Sequence, residues 1–282
     1  MQYTIDNGTL CVKVKSYGAE IVSVVKDGKE RLWQNETGEW EGHAPLLFPV
    51  CGHFGLKYAG VDYPIRAHGF ASKMEFTLVE QTENSLEFEI ESNKETKKSY
   101  PFDFKFKVVY SIEGSKLSIA YKVSNPAETP LWFACGGHDA FALDHDVDAY
   151  EVRFDKDENF VHHYHDDDGY MTGETLSYGT GKNFPLPIDF LQEGRTLIFK
   201  EINSRKVSLC EKGGKTLATL AFEGFENLLL WREGEGKFIC IEPWTNLPDY
   251  LGVPQAEFSE KAGVVEVAPK SEKTMTRIIE YV

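Results

Sequence analysis

Glu242 stands inside an otherwise apolar run, Phe238-Ile239-Cys240-Ile241-Glu242-Pro243-Trp244, directly before a proline. An ionised carboxylate in such surroundings is costly unless it is partnered, and desolvation raises its pKa toward the range of a working base. In a regular strand Cys240 and Trp244 share its face. Both are apolar, so a carboxylate turned inward is favoured over one on a solvent-facing edge. His138 follows two glycines in Cys135-Gly136-Gly137-His138-Asp139-Ala140-Phe141. The glycines leave room around the ring, and imidazole titrates near neutrality, which suits general acid work. His68 lies in Arg66-Ala67-His68-Gly69-Phe70-Ala71. There Gly69 permits close backbone approach to a ligand, and the imidazole can donate to a hydroxyl. A fourth segment, Pro45-Leu46-Leu47-Phe48-Pro49-Val50-Cys51-Gly52-His53, holds two prolines and a glycine, which rule out an ordinary central strand. It frames a cavity or packs in the core. Each segment alone is weak, since a lone histidine is more often structural than functional.

Two further stretches carry less. His162-His163-Tyr164-His165-Asp166-Asp167-Asp168 has the composition of a metal-binding tract. Its side chains are adjacent rather than spaced to converge, so it reads as a solvated loop. Lys200 to Lys206 is modestly basic and reads as a polar edge before the strand at Val207.

The elements that must hold these residues are strands. Leu86, Phe88 and Ile90 alternate with Glu87, Glu89 and Glu91. Phe102, Phe104, Phe106 and Val108 alternate with Asp103, Lys105 and Lys107, and Leu117, Ile119, Tyr121 and Val123 repeat the pattern after Glu113-Gly114. Period-two alternation predicts half-buried antiparallel strands. Gly213-Gly214 predicts a hairpin between Val207-Ser208-Leu209 and Leu217-Ala218-Thr219-Leu220. Helical periodicity is confined to Pro187–Gly194, where one short helix is expected. Many short strands separated by turn signals imply an all-β sandwich or barrel. Residues 144–182 are polar and poorly periodic, and are expected to leave the sheets as a long excursion. No linker or repeat interrupts the 282 residues, so one domain spanning 1–282 is expected.

Hydrophobic residues make up 41% of the chain and aromatic residues 13%, enough for a substantial core. Lys and Arg total 30 against 45 Asp and Glu, a net charge of −15, which disfavours nucleic acid and anionic membrane as partners. The opening Met1-Gln2-Tyr3-Thr4-Ile5 lacks the pattern of a signal peptide. No apolar run approaches the ~18 residues of a membrane span. Five scattered cysteines with no CxxC pair suggest neither a disulfide framework nor a zinc knuckle. A cytoplasmic protein with reduced thiols is expected, and a homodimer is left open.

Taken in order along the whole chain, these segments resemble the aldose 1-epimerase (galactose mutarotase) family, specifically its LacX-like branch. The resemblance runs through Tyr17-Gly18-Ala19-Glu20-Ile21, Glu30-Arg31-Leu32-Trp33-Gln34, Pro45 to Gly52, and Tyr63 with His68-Gly69-Phe70-Ala71. It continues in Gly137-His138, Leu230-Trp231 and Ile241-Glu242-Pro243-Trp244. It implies a large antiparallel β-sandwich, a sugar cleft and no cofactor or metal. His138 then corresponds to the acid toward the ring oxygen, Glu242 to the base at the anomeric hydroxyl, and His68 to a substrate-positioning histidine. His53, Arg66, Trp231 and Trp244 are expected to bind the sugar, and Asp139 or Asp189 to supply a sugar-holding carboxylate. Relatives often carry Gly-Arg-Leu where this chain has Gly52-His53-Phe54, and His53 lacks the bidentate fork of the family's arginine. A free aldohexose is the expected substrate. The alternatives are a hexose 6-phosphate, a silent sugar-binding protein, and a hydrolytic metal site built from two histidines and a glutamate.

Overall fold

A computed structural model describes residues 1–282, of which 51% lie in strands and 6% in helices. Alternation in the sequence becomes alternation in burial. The strand Lys105–Glu113 pairs antiparallel with Lys116–Ser124, setting Phe106 opposite Val123, Val108 opposite Tyr121 and Tyr110 opposite Ile119. All six side chains are buried, and each such burial contributes roughly 1.5–3 kcal/mol. The intervening lysines face outward, where Lys105 pairs with Glu91 at 2.8 Å.

One 15-stranded antiparallel sheet holds most of the strands, beside a four-stranded sheet and two two-stranded ones. The four-stranded sheet spans Gln2–Asp6, Leu10–Lys15, Glu20–Lys26 and Lys29–Glu30. Its Val12, Val14 and Val24 join Phe88, Val108 and Ile119 of the large sheet in one apolar cluster. The Tyr110 hydroxyl donates to the Ala19 carbonyl across the same interface. The result is the large antiparallel β-sandwich that the alternation predicts.

The predicted hairpin forms from Lys206–Glu211 and Thr216–Ala221, and the short helix covers Ile188–Leu191. Residues 144–182 differ from expectation. They do not leave the sheets: Tyr150–His165 pairs with Met171–Pro185 as a long hairpin, joined by a turn at 166–170. The His162–His165 tract is therefore the end of a strand, with buried His162 accepting a hydrogen bond at Nδ1 from the Ile198 N–H at 3.1 Å.

The strand Phe238–Trp244 is flanked by Asn227–Trp231 on one side. On the other lie Gly136–Gly137 and Asp139–Ala142. All seven of its residues are buried. Ile239 and Ile241 turn into the main core, whereas Phe238, Cys240 and Trp244 belong to two smaller clusters on the opposite face. The core face also holds a buried ion pair, Asp139 with Arg277, and Arg277 donates to the Tyr121 hydroxyl at 2.7 Å. Removing one partner of a buried pair strands the other charge. Arg277→Met is expected to destabilise the protein by about 3–5 kcal/mol in urea unfolding, whereas a change under about 1 kcal/mol would show that Asp139 does not depend on it.

Candidate active site

Antiparallel register creates the site. Gly136 pairs with Trp244 and Asp139 with Ile241, which leaves His138 directly opposite Glu242. Side chains so placed on one face have Cβ atoms ~4.5–5.5 Å apart. Here His138 Nε2 lies 3.4 Å from Glu242 Oε2, with the two side chains 13% and 2% exposed. No hydrogen bond closes this gap, and both Glu242 Oε2 and His138 Nδ1 are buried without a partner.

The glycine pair ahead of His138 serves both faces. A Cβ on Gly136 would stand 2.6 Å from Trp244 Cδ1, and one on Gly137 would stand 2.1 Å from the Arg277 guanidinium carbon. Only glycines let the Trp244 ring and the buried arginine approach so closely. Trp244 in turn donates its indole N–H to the Gly137 carbonyl at 3.3 Å.

His68 arrives from the loop after the predicted apolar segment, with φ of 64°. Its amide donates to the Gly52 carbonyl at 3.0 Å, and the Gly52 amide donates to His68 Nδ1 at 3.1 Å. An accepting Nδ1 on a neutral ring puts the hydrogen on Nε2, which becomes its available donor. The His68 ring stands edge-on to His138 at 5.9 Å and to Trp244 at 5.4 Å.

These groups open onto a cleft of about 830 Å³, ample for a pyranose. His53, Arg66, His68, His138, Trp231, Glu242 and Trp244 all line it. The His53 ring packs against Tyr170 at 5.2 Å, under the 166–170 turn. Trp231 lies edge-on to His138 at 5.4 Å. Asp139 and Asp189 do not line the cleft. Asp139 points to the other face of its strand and is consumed by Arg277, because neighbouring residues of a strand face opposite sides. Asp189 sits exposed on the short helix.

Trp40, which lies outside the motifs read from sequence, lines the cleft, and so does His165 from the tract expected to be a solvated loop. Trp40 stacks on His138 at 5.0 Å and 27°, and its carbonyl accepts from the Trp33 indole at 2.8 Å. A tryptophan in the polar, glycine-flanked run Gly38-Glu39-Trp40-Glu41-Gly42 was the available signal.

Electrostatics biases the protonation of the site. Burial, aided by neighbouring His68, pushes His138 down to about 3. Burial, with the charges of His53 and Arg66, lowers His68 to about 4. Burial pushes Glu242 well above the usual carboxylate range; Asp139's charge adds to this, and only Trp244 opposes it. Burial thus disfavours the charged form of both members of the facing pair. At the rim, burial works against ionising Glu20, but hydrogen bonds from His43 and Lys15 hold it down at about 2. Lys15 pairs with it at 2.6 Å.

Comparison with known proteins agrees with this architecture. The family model for aldose 1-epimerase matches residues 1–250, and the chain belongs to that family. The chromosomal LacX protein of Lactococcus lactis subsp. lactis is 30% identical over 293 residues, covering 98% of this chain and 95% of the relative. A galactose mutarotase related enzyme from Lactobacillus acidophilus superposes with a TM-score of 0.88 at 27% identity, covering 100% of this chain and 97% of the other. A galactose mutarotase-like protein from Lactobacillus casei gives 0.89 at 26% identity, with full coverage of both chains.

The buried imidazoles make stability depend on pH. His68 and His162 titrate near 4 and His138 near 3, against ~6.5 in the unfolded chain. Below ~6.5 the unfolded state therefore binds more protons, and the stability these neutral rings supply above that pH is lost as pH falls toward 4. Glu242, raised in the fold, works in the opposite direction, but it is one group against three. The urea midpoint should fall steadily from pH 6.5 to 4.5; a flat or rising midpoint would contradict buried neutral histidines.

Proposed function

We propose that this chain is an aldose 1-epimerase that interconverts the α and β anomers of a free aldohexose by opening and reclosing the ring, acting as one domain without a cofactor. The observation that carries this reading is the pair His138 and Glu242, 3.4 Å apart on the floor of the cleft. Mutarotation needs a base at the anomeric hydroxyl and an acid at the ring oxygen, in reach of one C1 centre. As the hydroxyl loses its proton, the ring oxygen gains one and the bond from C1 to the ring oxygen breaks, leaving the open aldehyde. Rotation about C1–C2 presents the other face of the carbonyl, and reclosure returns both protons. Each positioned group typically contributes ~10²–10⁴-fold.

The anomeric roles expected from the family resemblance put the proton on His138 and the charge on Glu242. Burial pulls the other way, lowering His138 and raising Glu242. One shared proton supplies one donor and one acceptor in either arrangement, so the chemistry is served from both. The hydrogen on Nε2 of His68 is placed to hold a sugar hydroxyl. Trp40, Trp231 and Trp244 offer apolar faces to the ring's C–H edges.

The rim supports a neutral substrate over a phosphorylated one. Of its cations Lys15, Arg66 and Lys73, Lys15 is paired with Glu20 at 2.6 Å, and Glu39 and Glu41 on the same rim balance the other two in number of charges. A phosphate site needs clustered, uncompensated Arg or Lys.

Polarimetry of freshly dissolved α-D-glucose and α-D-galactose tests the proposal. Wild type should accelerate mutarotation, and Glu242→Gln and His138→Asn should each lower the rate by ~10²-fold or more with near-UV circular dichroism unchanged. Acceleration with hexose 6-phosphates alone would move the assignment to a phosphorylated substrate. No acceleration with any of these sugars would leave a binding protein.

A further inference from the structure

We propose that the floor of the cleft is also a binding site for a thiophilic divalent cation such as zinc, held by His138, Cys240 and Glu242, and that cation and sugar exclude one another. The second half rests on the epimerase reading; the first does not.

Cys240 is the residue the acid/base chemistry leaves unused. It precedes Glu242 by two positions and shares its face, and it pairs with Ala140, which makes it the diagonal neighbour of His138. One ligand atom from each of His138, Cys240 and Glu242 lies within 4.8 Å of the other two. Tetrahedral zinc, with Zn–N and Zn–O bonds of about 2.0–2.2 Å, sets its nitrogen and oxygen ligands ~3.4 Å apart. His138 Nε2 and Glu242 Oε2 stand at 3.4 Å, with no hydrogen bond between them. Sulfur bonds zinc at about 2.3 Å, and Cys240, buried just beneath the cleft floor, would close the third side by turning its Sγ toward the pair.

Glu242 Oε2 supplies a second and independent sign. Its side chain is 2% exposed, faces the cleft, and has no partner. A buried acceptor left unpaired costs free energy that a cation would recover. A thiolate, a carboxylate and a neutral imidazole sum to two negative charges, which match a divalent ion. Three protein ligands with a fourth position open to the cleft form the open type of zinc site. Soft sulfur with imidazole selects zinc, cadmium or cobalt over magnesium or calcium. Because the same two lone pairs would accept protons from the sugar, a bound cation blocks proton transfer.

The test is titration of Co²⁺ into the chelator-stripped full chain. One equivalent should produce a thiolate-to-cobalt charge-transfer band in the near ultraviolet, and Cys240→Ser should abolish it. By calorimetry, Zn²⁺ should bind Cys240→Ser and Glu242→Gln at least ~10–100-fold more weakly than wild type, the loss that even a supporting group costs a metal site. Zinc should slow mutarotation, chelator should restore it, and added galactose should weaken zinc binding. A band that survives in Cys240→Ser belongs to another thiol and overturns the proposal, as does zinc affinity unchanged in both variants. Zinc binding that galactose leaves unaltered overturns the mutual exclusion. A chain that gives the band but no mutarotation sinks the epimerase reading and leaves the metal site standing.

Discussion

Between the pairs Gly136 with Trp244 and Asp139 with Ile241, an antiparallel ladder holds an imidazole opposite a carboxylate. Everything else at the site depends on that register. A slip of one residue would turn Glu242 into the main core and bring Ile241 to the cleft, since side chains alternate across the sheet. The register is secured from the hidden face, where Ile239 and Ile241 join the large apolar cluster. Glycines at 136 and 137 allow the two strands to meet with a tryptophan on one side and an arginine on the other. The chemistry therefore rides on packing that never touches substrate.

Desolvation then sets the state of the pair. Glu242 and His138 are both buried deeply enough that each resists its charged form, and Asp139, across the strand, adds a negative charge that resists Glu242's further. That same Asp139 is paired with Arg277, whose guanidinium also donates to the Tyr121 hydroxyl. A buried ion pair on the core face thus tunes the carboxyl on the cleft face without contacting it. Such a pair is weak evidence for stability. Its position directly behind the site gives it an electrostatic part as well.

Much of this was legible from the chain. Alternation at Phe106 and Val108 marked a strand because that strand has one buried face and one facing water. Glu242 stood out because an acid inside an apolar run is energetically conspicuous. The 150–185 hairpin was not legible for two physical reasons. Its ladder shifts register between Arg153 and Glu158, between Asn159 and Val161, and again near His163, so period two breaks repeatedly. Its outer strand, Met171–Pro185, is exposed along most of both faces and buries no alternating set. Asp139 illustrates a different limit: a polar residue beside a site histidine faces away from the site in a strand. Trp40 reaches His138 across nearly a hundred residues of sequence, and no local pattern encodes that contact.

A reversible ring opening asks for a site that serves equally well in both directions. Approached from either anomer, the base of the opening step must become the acid of the closing step. Two groups with well-separated ordinary pKa values would favour one direction of proton flow. Here burial lowers the imidazole and raises the carboxyl, which works against the usual one-way preference of the proton for His138. The exchange leaves the net charge of the site unchanged, and the cleft need not reorganise around it. The same neutrality limits what the floor can attract: an uncharged sugar meets no net field there, and its orientation falls to the hydrogen on His68 and to the flat faces of the tryptophans. Shifting a carboxyl upward chiefly by burial requires a strand with no wet face, and Phe238–Trp244, buried at all seven positions, is such a strand.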